Sequence, residues 1–84
     1  MRRTLTATLR NAPGVLNRFT GVLSRRQINI ESLCVGLTEV EDLAQVTVIV
    51  DMASYDEVKQ VMKQFDRLID VVCICDSTDQ SYFE

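Results

Sequence analysis

The sequence predicts an α+β domain of ferredoxin-like βαββαβ order: a four-stranded antiparallel sheet with both helices on one face. Three observations lead there. Two segments, 15–26 and 55–68, repeat apolar residues at helical spacing. Four segments of strand length alternate or run apolar, and they flank those helices in the order β-α-β-β-α-β. The chain of 84 residues has room for one small domain and one modest core. Residues 1–76 carry the six elements, and 77–84, Ser-Thr-Asp-Gln-Ser-Tyr-Phe-Glu, read as a polar C-terminal tail.

The first strand, 3–10, places Leu5, Ala7 and Leu9 on one face and threonines on the other. Asn11-Ala12-Pro13-Gly14 follows. Asn11 suits the N-cap of the next helix, and Pro13 suits its first turn, where a missing N–H costs nothing. That helix runs to about Arg26 with Val15, Leu16, Phe19, Val22 and Leu23 on its apolar face. The second strand, about 28–38, changes parity: Ile28 and Ile30 share one face, Leu33, Val35 and Leu37 the other. Strand periodicity is strictly two, so a bulge is expected near Glu31-Ser32. Asn29, between two isoleucines, is expected to be half-buried and in need of hydrogen-bond partners.

Thr38–Asp42 makes a short acidic hairpin into the third strand, Leu43–Asp51, whose Ala44, Val46, Val48 and Val50 face the core. Ser54 and Glu57 have capping-box spacing at the start of the second helix, which carries Val58, Val61, Met62, Phe65 and Leu68 on one face. The fourth strand, 70–76, is apolar on both faces, which predicts a strand covered on both sides. Ile28, Ile30 and one parity of this strand add apolar surface beyond what two helices cover. The expectation is a homo-oligomer, most simply a two-fold dimer, burying about 800 Å² per partner.

Composition removes several function classes. The net charge of −3 gives no basic patch for nucleic acid, although Arg2, Arg3, Arg10, Arg18, Arg25 and Arg26 cluster in the first third. No run of about 20 apolar residues is present for a membrane span. The chain has no histidine, which removes the commonest general base and metal ligand. Cys34, Cys73 and Cys75 are odd in number and lack the CxxC spacing of a zinc site. Cys73 and Cys75, two apart in an apolar run, read as small core or interface hydrophobes, and the setting as reducing and cytoplasmic. RNA recognition would need aromatics on the central strands, and Phe19 and Phe65 sit on helix faces instead. What remains is the loop at 11–14. It ends at a helix N-terminus, where free N–H groups and the dipole favour an anion such as an amino-acid carboxylate.

Asn-x-Pro-Gly-Val-Leu after a strand, followed by Arg26-Gln27-Ile28-Asn29-Ile30-Glu31-Ser32-Leu33, resembles an ACT domain. With Met1-Arg2-Arg3-Thr4-Leu5, Arg18 and Leu68-Ile69-Asp70-Val71-Val72, the chain is similar over residues 1–76 to the regulatory small subunit of acetolactate synthase. The resemblance implies a non-catalytic protein with no cofactor of its own. It binds and activates a thiamine-diphosphate-dependent catalytic subunit and confers feedback inhibition by a branched-chain amino acid, typically valine. It implies a homodimer with side-by-side sheets and an effector held between protomers. Asn11, Ala12, Pro13, Gly14, Val15 and Leu16 would come from one, Asn29 and Ile30 from the other. The effector's apolar side chain would lie among residues such as Leu9, Leu16, Ile28 and Leu33. Gly14→Asp is then expected to abolish the effector response with the fold retained.

Gln27 departs from the glycine common in the family, so the first helix is expected to close without an easy left-handed residue. Many family members carry a second, C-terminal domain beyond the length seen here. The alternative function is a stand-alone ACT-domain amino-acid sensor, or another ferredoxin-like binding module.

Overall fold

Threonine alternates with leucine and alanine along β1 (Arg2–Arg10) because only one face of that strand meets the helices. Leu5, Ala7 and Leu9 are buried while Thr4, Thr6 and Thr8 stay partly exposed. In the computed structural model, which describes residues 1–78, the chain continues through α1 (Val15–Arg25), β2 (Asn29–Leu37), β3 (Leu43–Asp51), α2 (Tyr55–Asp66) and β4 (Val71–Asp76). The four strands form one antiparallel sheet in the order β2-β3-β1-β4. This is the predicted ferredoxin-like topology, with both helices packed on the face that carries Leu5, Val46, Val48 and Val50. Phe19 of α1 and Phe65 of α2 stack with ring centroids 4.4 Å apart and join the helices over that face.

The bulge falls where the parity change places it. Ile30 pairs with Val50 and Ser32 with Ile49, so Glu31 is the extra residue. Ile30 and Leu33 therefore both face the helices, three residues apart, beside buried Val50 and Val48. At the start of α2, the Ser54 hydroxyl accepts from the Glu57 N–H (3.2 Å), and the Glu57 carboxylate reaches the Ala53 N–H (2.9 Å).

Four expectations need correction. Ile28 and Ile30 do not add to an open apolar face: Ile28 is buried against the core, and Ile30 lies on the helix side. β4 is not covered on both sides within this chain. Ile74 and Val71 turn to the core, whereas Val72, Cys73 and Cys75 are exposed. Val72 is skipped between Leu9↔Val71 and Thr8↔Cys73, and that bulge re-aims the strand. The open face is rich in threonine rather than aliphatic residues. Finally, α1 does close on a left-handed residue, and it is Gln27 itself (φ 59°). Its N–H donates to the Ser24 carbonyl (2.9 Å) and the Ile28 N–H to the Leu23 carbonyl (3.0 Å), the Schellman pattern, with Leu23 and Ile28 buried beside it.

β4 runs on into Ser77 and Thr78, which bond to β1: Ser77 N–H to the Thr4 carbonyl (2.7 Å), and Thr4 N–H to the Thr78 hydroxyl (2.9 Å). The rest of the 77–84 tail lies outside the described residues. At this end Arg3 Nε donates to Asp76 (2.8 Å), with its guanidinium 5.4 Å from the centre of the Tyr55 ring. Burial pushes the Asp76 pKa up. Hydrogen bonds from the Thr78 hydroxyl and N–H, together with Arg3, outweigh it and hold the carboxyl below its ordinary range.

Candidate functional site: the β1–α1 loop

The loop after β1 is fixed at both ends by backbone hydrogen bonds. Arg10 N–H donates to the Asp70 carbonyl (2.9 Å) at the start of β4, and Asn11 N–H to the Asp42 carbonyl (2.7 Å) of the hairpin. Ala12-Pro13-Gly14-Val15 then forms a type II turn. Val15 N–H donates to the Ala12 carbonyl (3.2 Å), Pro13 occupies the second position, and Gly14 takes φ 81°, ψ −10° at the third. Only glycine reaches that third position without strain.

Gly14, not Asn11, is the N-cap of α1. Its carbonyl accepts the Arg18 N–H at 3.0 Å, and no side chain caps the helix. The expectation that Asn11 caps and Pro13 enters the first turn is therefore corrected: the Pro-Gly turn delays the helix to Val15. The consequence favours the site. The Ala12 carbonyl takes the Val15 N–H, but the next N–H groups, those of Leu16 and Asn17, have no intrahelical acceptor and no side-chain cap, so the positive helix end stays available. The exposed Asn11 side chain is released from capping.

Asn11, Ala12, Val15 and Leu16 line a cavity of about 100 Å³ together with Leu9 and Val35. A water's share of liquid volume is about 30 Å³, so the space suits a small aliphatic group. Pro13 and Gly14 shape the turn without lining the cavity. Of the candidate apolar contacts, Leu9 and Leu16 line it, while Ile28 and Leu33 do not. Val35 was missed. Its signal was its place with Leu33 and Leu37 on one face of β2.

β2 is an edge strand, and its exposed side is apolar. Leu33, Val35 and Leu37 register with Val48, Val46 and Ala44, so they lie on the helix side, yet they are 42%, 51% and 81% exposed. A bare apolar edge of this kind is a template for strand pairing.

Asn29 and Ile30 lie elsewhere. Asn29 shares a row with Asp51 and Arg2, while Leu37 shares one with Ala44 and Leu9. Asn29 is thus at the far end of β2 from the loop, roughly 25 Å away along the strand at about 3.3 Å per residue. It is exposed rather than half-buried. Glu31 beside it is paired with Arg2 across the open face (Nε–Oε1 2.9 Å).

The three thiols do not gather. Cys34 and Cys75 share a row through Thr47 and Thr6, but three strand spacings separate them, roughly 14 Å. Among the described residues no cluster of three metal-type side chains forms, and no helix is long and apolar enough to cross a membrane.

A family model described as "AHAS small subunit-like ACT domain" matches residues 5–73. The acetolactate synthase small subunit of Bacillus subtilis is 42% identical over 81 residues, 96% of this chain and 47% of that protein. A probable acetolactate synthase small subunit of Archaeoglobus fulgidus is 41% identical over 96% of this chain and 50% of its own length. The chain thus spans about half the length of these curated relatives. The crystal structure of the acetolactate synthase small subunit from Thermotoga maritima superposes with a TM-score of 0.79 at 26% identity, covering 90% of this chain and 47% of that one. The ACT domain of a GTP pyrophosphokinase from Chlorobium tepidum reaches a TM-score of 0.78 at 14% identity, a likeness of fold alone.

Proposed function

This chain belongs to the family of AHAS small subunit-like ACT domains, and from that membership we propose that it is a non-catalytic regulatory module of acetolactate synthase. It binds a branched-chain amino acid, most simply valine, between two copies of itself. It also docks on and activates a thiamine-diphosphate-dependent catalytic subunit, making branched-chain amino-acid synthesis sensitive to its product.

The observation that carries the reading is the separation of the two half-sites within one chain. The loop 11–16 offers an uncapped helix end and a small apolar cavity, suited to a carboxylate and an isopropyl group. Asn29 and Ile30 offer an amide and strand-edge backbone groups for an ammonium, but at the far end of β2. A second copy paired antiparallel along the free β2 edge, centred on Leu33 and with the extra Glu31 counted, would set its Asn29 opposite Gly36 of the first, next to Leu37. Leu37 ends the row that contains Leu9, directly before the loop. The same pairing covers Leu33, Val35 and Leu37. Effector binding then strengthens the dimer, and the catalytic subunit responds by differential affinity for the two states.

The test is thermal unfolding of the purified chain with each proteinogenic amino acid, alongside sedimentation. L-valine, L-leucine or L-isoleucine should raise Tm and hold the dimer. No shift with any of them would overturn the effector role.

A further inference from the structure

A groove of about 470 Å³ lies on the opposite side of the α1 first turn from the effector cavity, between α1 and the α2–β4 connection. Its walls are Val15, Phe19, Leu68 and Val71, and Arg18 and Arg67 stand on its rim. Arg18 spends Nε (3.1 Å) and Nη2 on one oxygen of Asp70. That leaves Nη1 available, the nitrogen 3.5 Å from where a Cβ on Gly14 would stand. Among the described residues, the exposed Arg67 side chain makes no hydrogen bond or ion pair. Ile69, which also lines the groove, projects from it and is 87% exposed.

We infer that this groove is the docking surface for the catalytic partner, receiving a segment that presents an apolar side chain followed by a carboxylate. The inference rests on the regulatory-subunit reading above. The floor supplies apolar burial, and with Asp70 offsetting Arg18 the two guanidinium groups still leave the groove net positive, complementary to a carboxylate. A small free ligand would fill the groove but leave Ile69 in water. A protein surface covers both, which is how aliphatic and arginine anchors act at interfaces.

The location also supplies a route for control. Val15, only 3% exposed, lines both this groove and the effector cavity. The first turn of α1 is therefore a shared wall. Asp70 ties the same wall to the groove's floor: its carboxylate holds Arg18, and its carbonyl accepts the Arg10 N–H at the start of the loop. An amino acid seated on one side of that turn acts on the partner seated on the other.

The experiment uses this chain and the acetolactate synthase catalytic subunit encoded in the same genome. Complex formation is measured by biolayer interferometry for the wild type, Ile69→Asp, Arg67→Glu and a control, Thr47→Arg, on the open sheet face. L-valine binding to each chain alone is measured by calorimetry. Ile69→Asp and Arg67→Glu should each weaken the complex by about tenfold or more. Their valine affinity should stay within about twofold and their Tm should not move, because both side chains are exposed. The control should bind the partner normally. If both groove variants bind like the wild type, or only Thr47→Arg loses binding, the groove is not the docking surface. If the wild-type chain binds no catalytic subunit at all, the partner reading falls and the groove assignment with it.

Discussion

Asn11 and Asn29 stand at opposite ends of one sheet, the first just past the end of β1, the second at the start of β2. No side chain spans the roughly 25 Å between those ends. If both asparagines hold one ligand, they belong to different copies of the chain. The exposed apolar edge of β2 and the orphaned half-sites are then two views of a single assembly.

That edge gives the first prediction. Val35 is 51% exposed and lines the small cavity, so Val35→Glu places a charge in both the strand edge and the site. Sedimentation should show a monomer and calorimetry no amino-acid binding, with far-UV circular dichroism unchanged. A variant that remains dimeric would place the contact elsewhere.

Gly14 has φ 81°, so any L-residue there is strained. Gly14→Asp should abolish the effector response, and it should also cost about 1–2 kcal/mol in urea unfolding. The fold should be retained at that cost. Gly14→Ala, which adds strain but no charge, should cost a similar amount and retain part of the response. Equal stability of wild type and Gly14→Ala would contradict the left-handed turn.

Gln27 occupies a left-handed position that glycine fills more easily. Gln27→Gly should stabilise the chain by about 1 kcal/mol, seen as a rise in Tm of about 4–8 °C. A fall in Tm would mean that the Gln27 side chain supplies something the Schellman closure does not.

The Asp76 carboxyl is held below its ordinary value of 3.8 in the folded chain. Its contribution is fully present above that value. It declines as pH falls from there toward the folded pKa and is gone below it. Wild-type Tm should therefore drop more steeply than that of Asp76→Asn as pH falls below 3.8, and the variant should be less stable at pH 7 by about 1.5–3 kcal/mol. Parallel acid limbs would remove Asp76 from the account.

Much of this was legible because its causes are local or strictly periodic. The bulge at Glu31 follows from parity alone, since Ile30 and Leu33 cannot share a face otherwise. The Ser54–Glu57 cap is written within four residues. The failures lie where two local signals compete or where burial depends on the whole assembly. Asn11 and Pro13-Gly14 are both good helix starts, and the Pro-Gly turn prevails because it leaves Asn11 tied by its backbone to Asp42. Cys73 and Cys75 look like core residues by type, but their parity follows the Val72 bulge, which no pattern in β4 announces. The loop half of the proposed site was readable in one chain. The groove beyond Val15 was not, because Arg18, Arg67 and Ile69 meet only after the chain has folded.

An amino-acid site built from two chains can be restored by complementation between inactive variants. Asn11→Ala and Asn29→Ala are purified separately, each lacking L-valine binding by calorimetry, then unfolded together and refolded. The mixture should regain binding, with one intact site per mixed dimer. No binding in the mixture, with mixed dimers verified by mass, would contradict a site built from two chains.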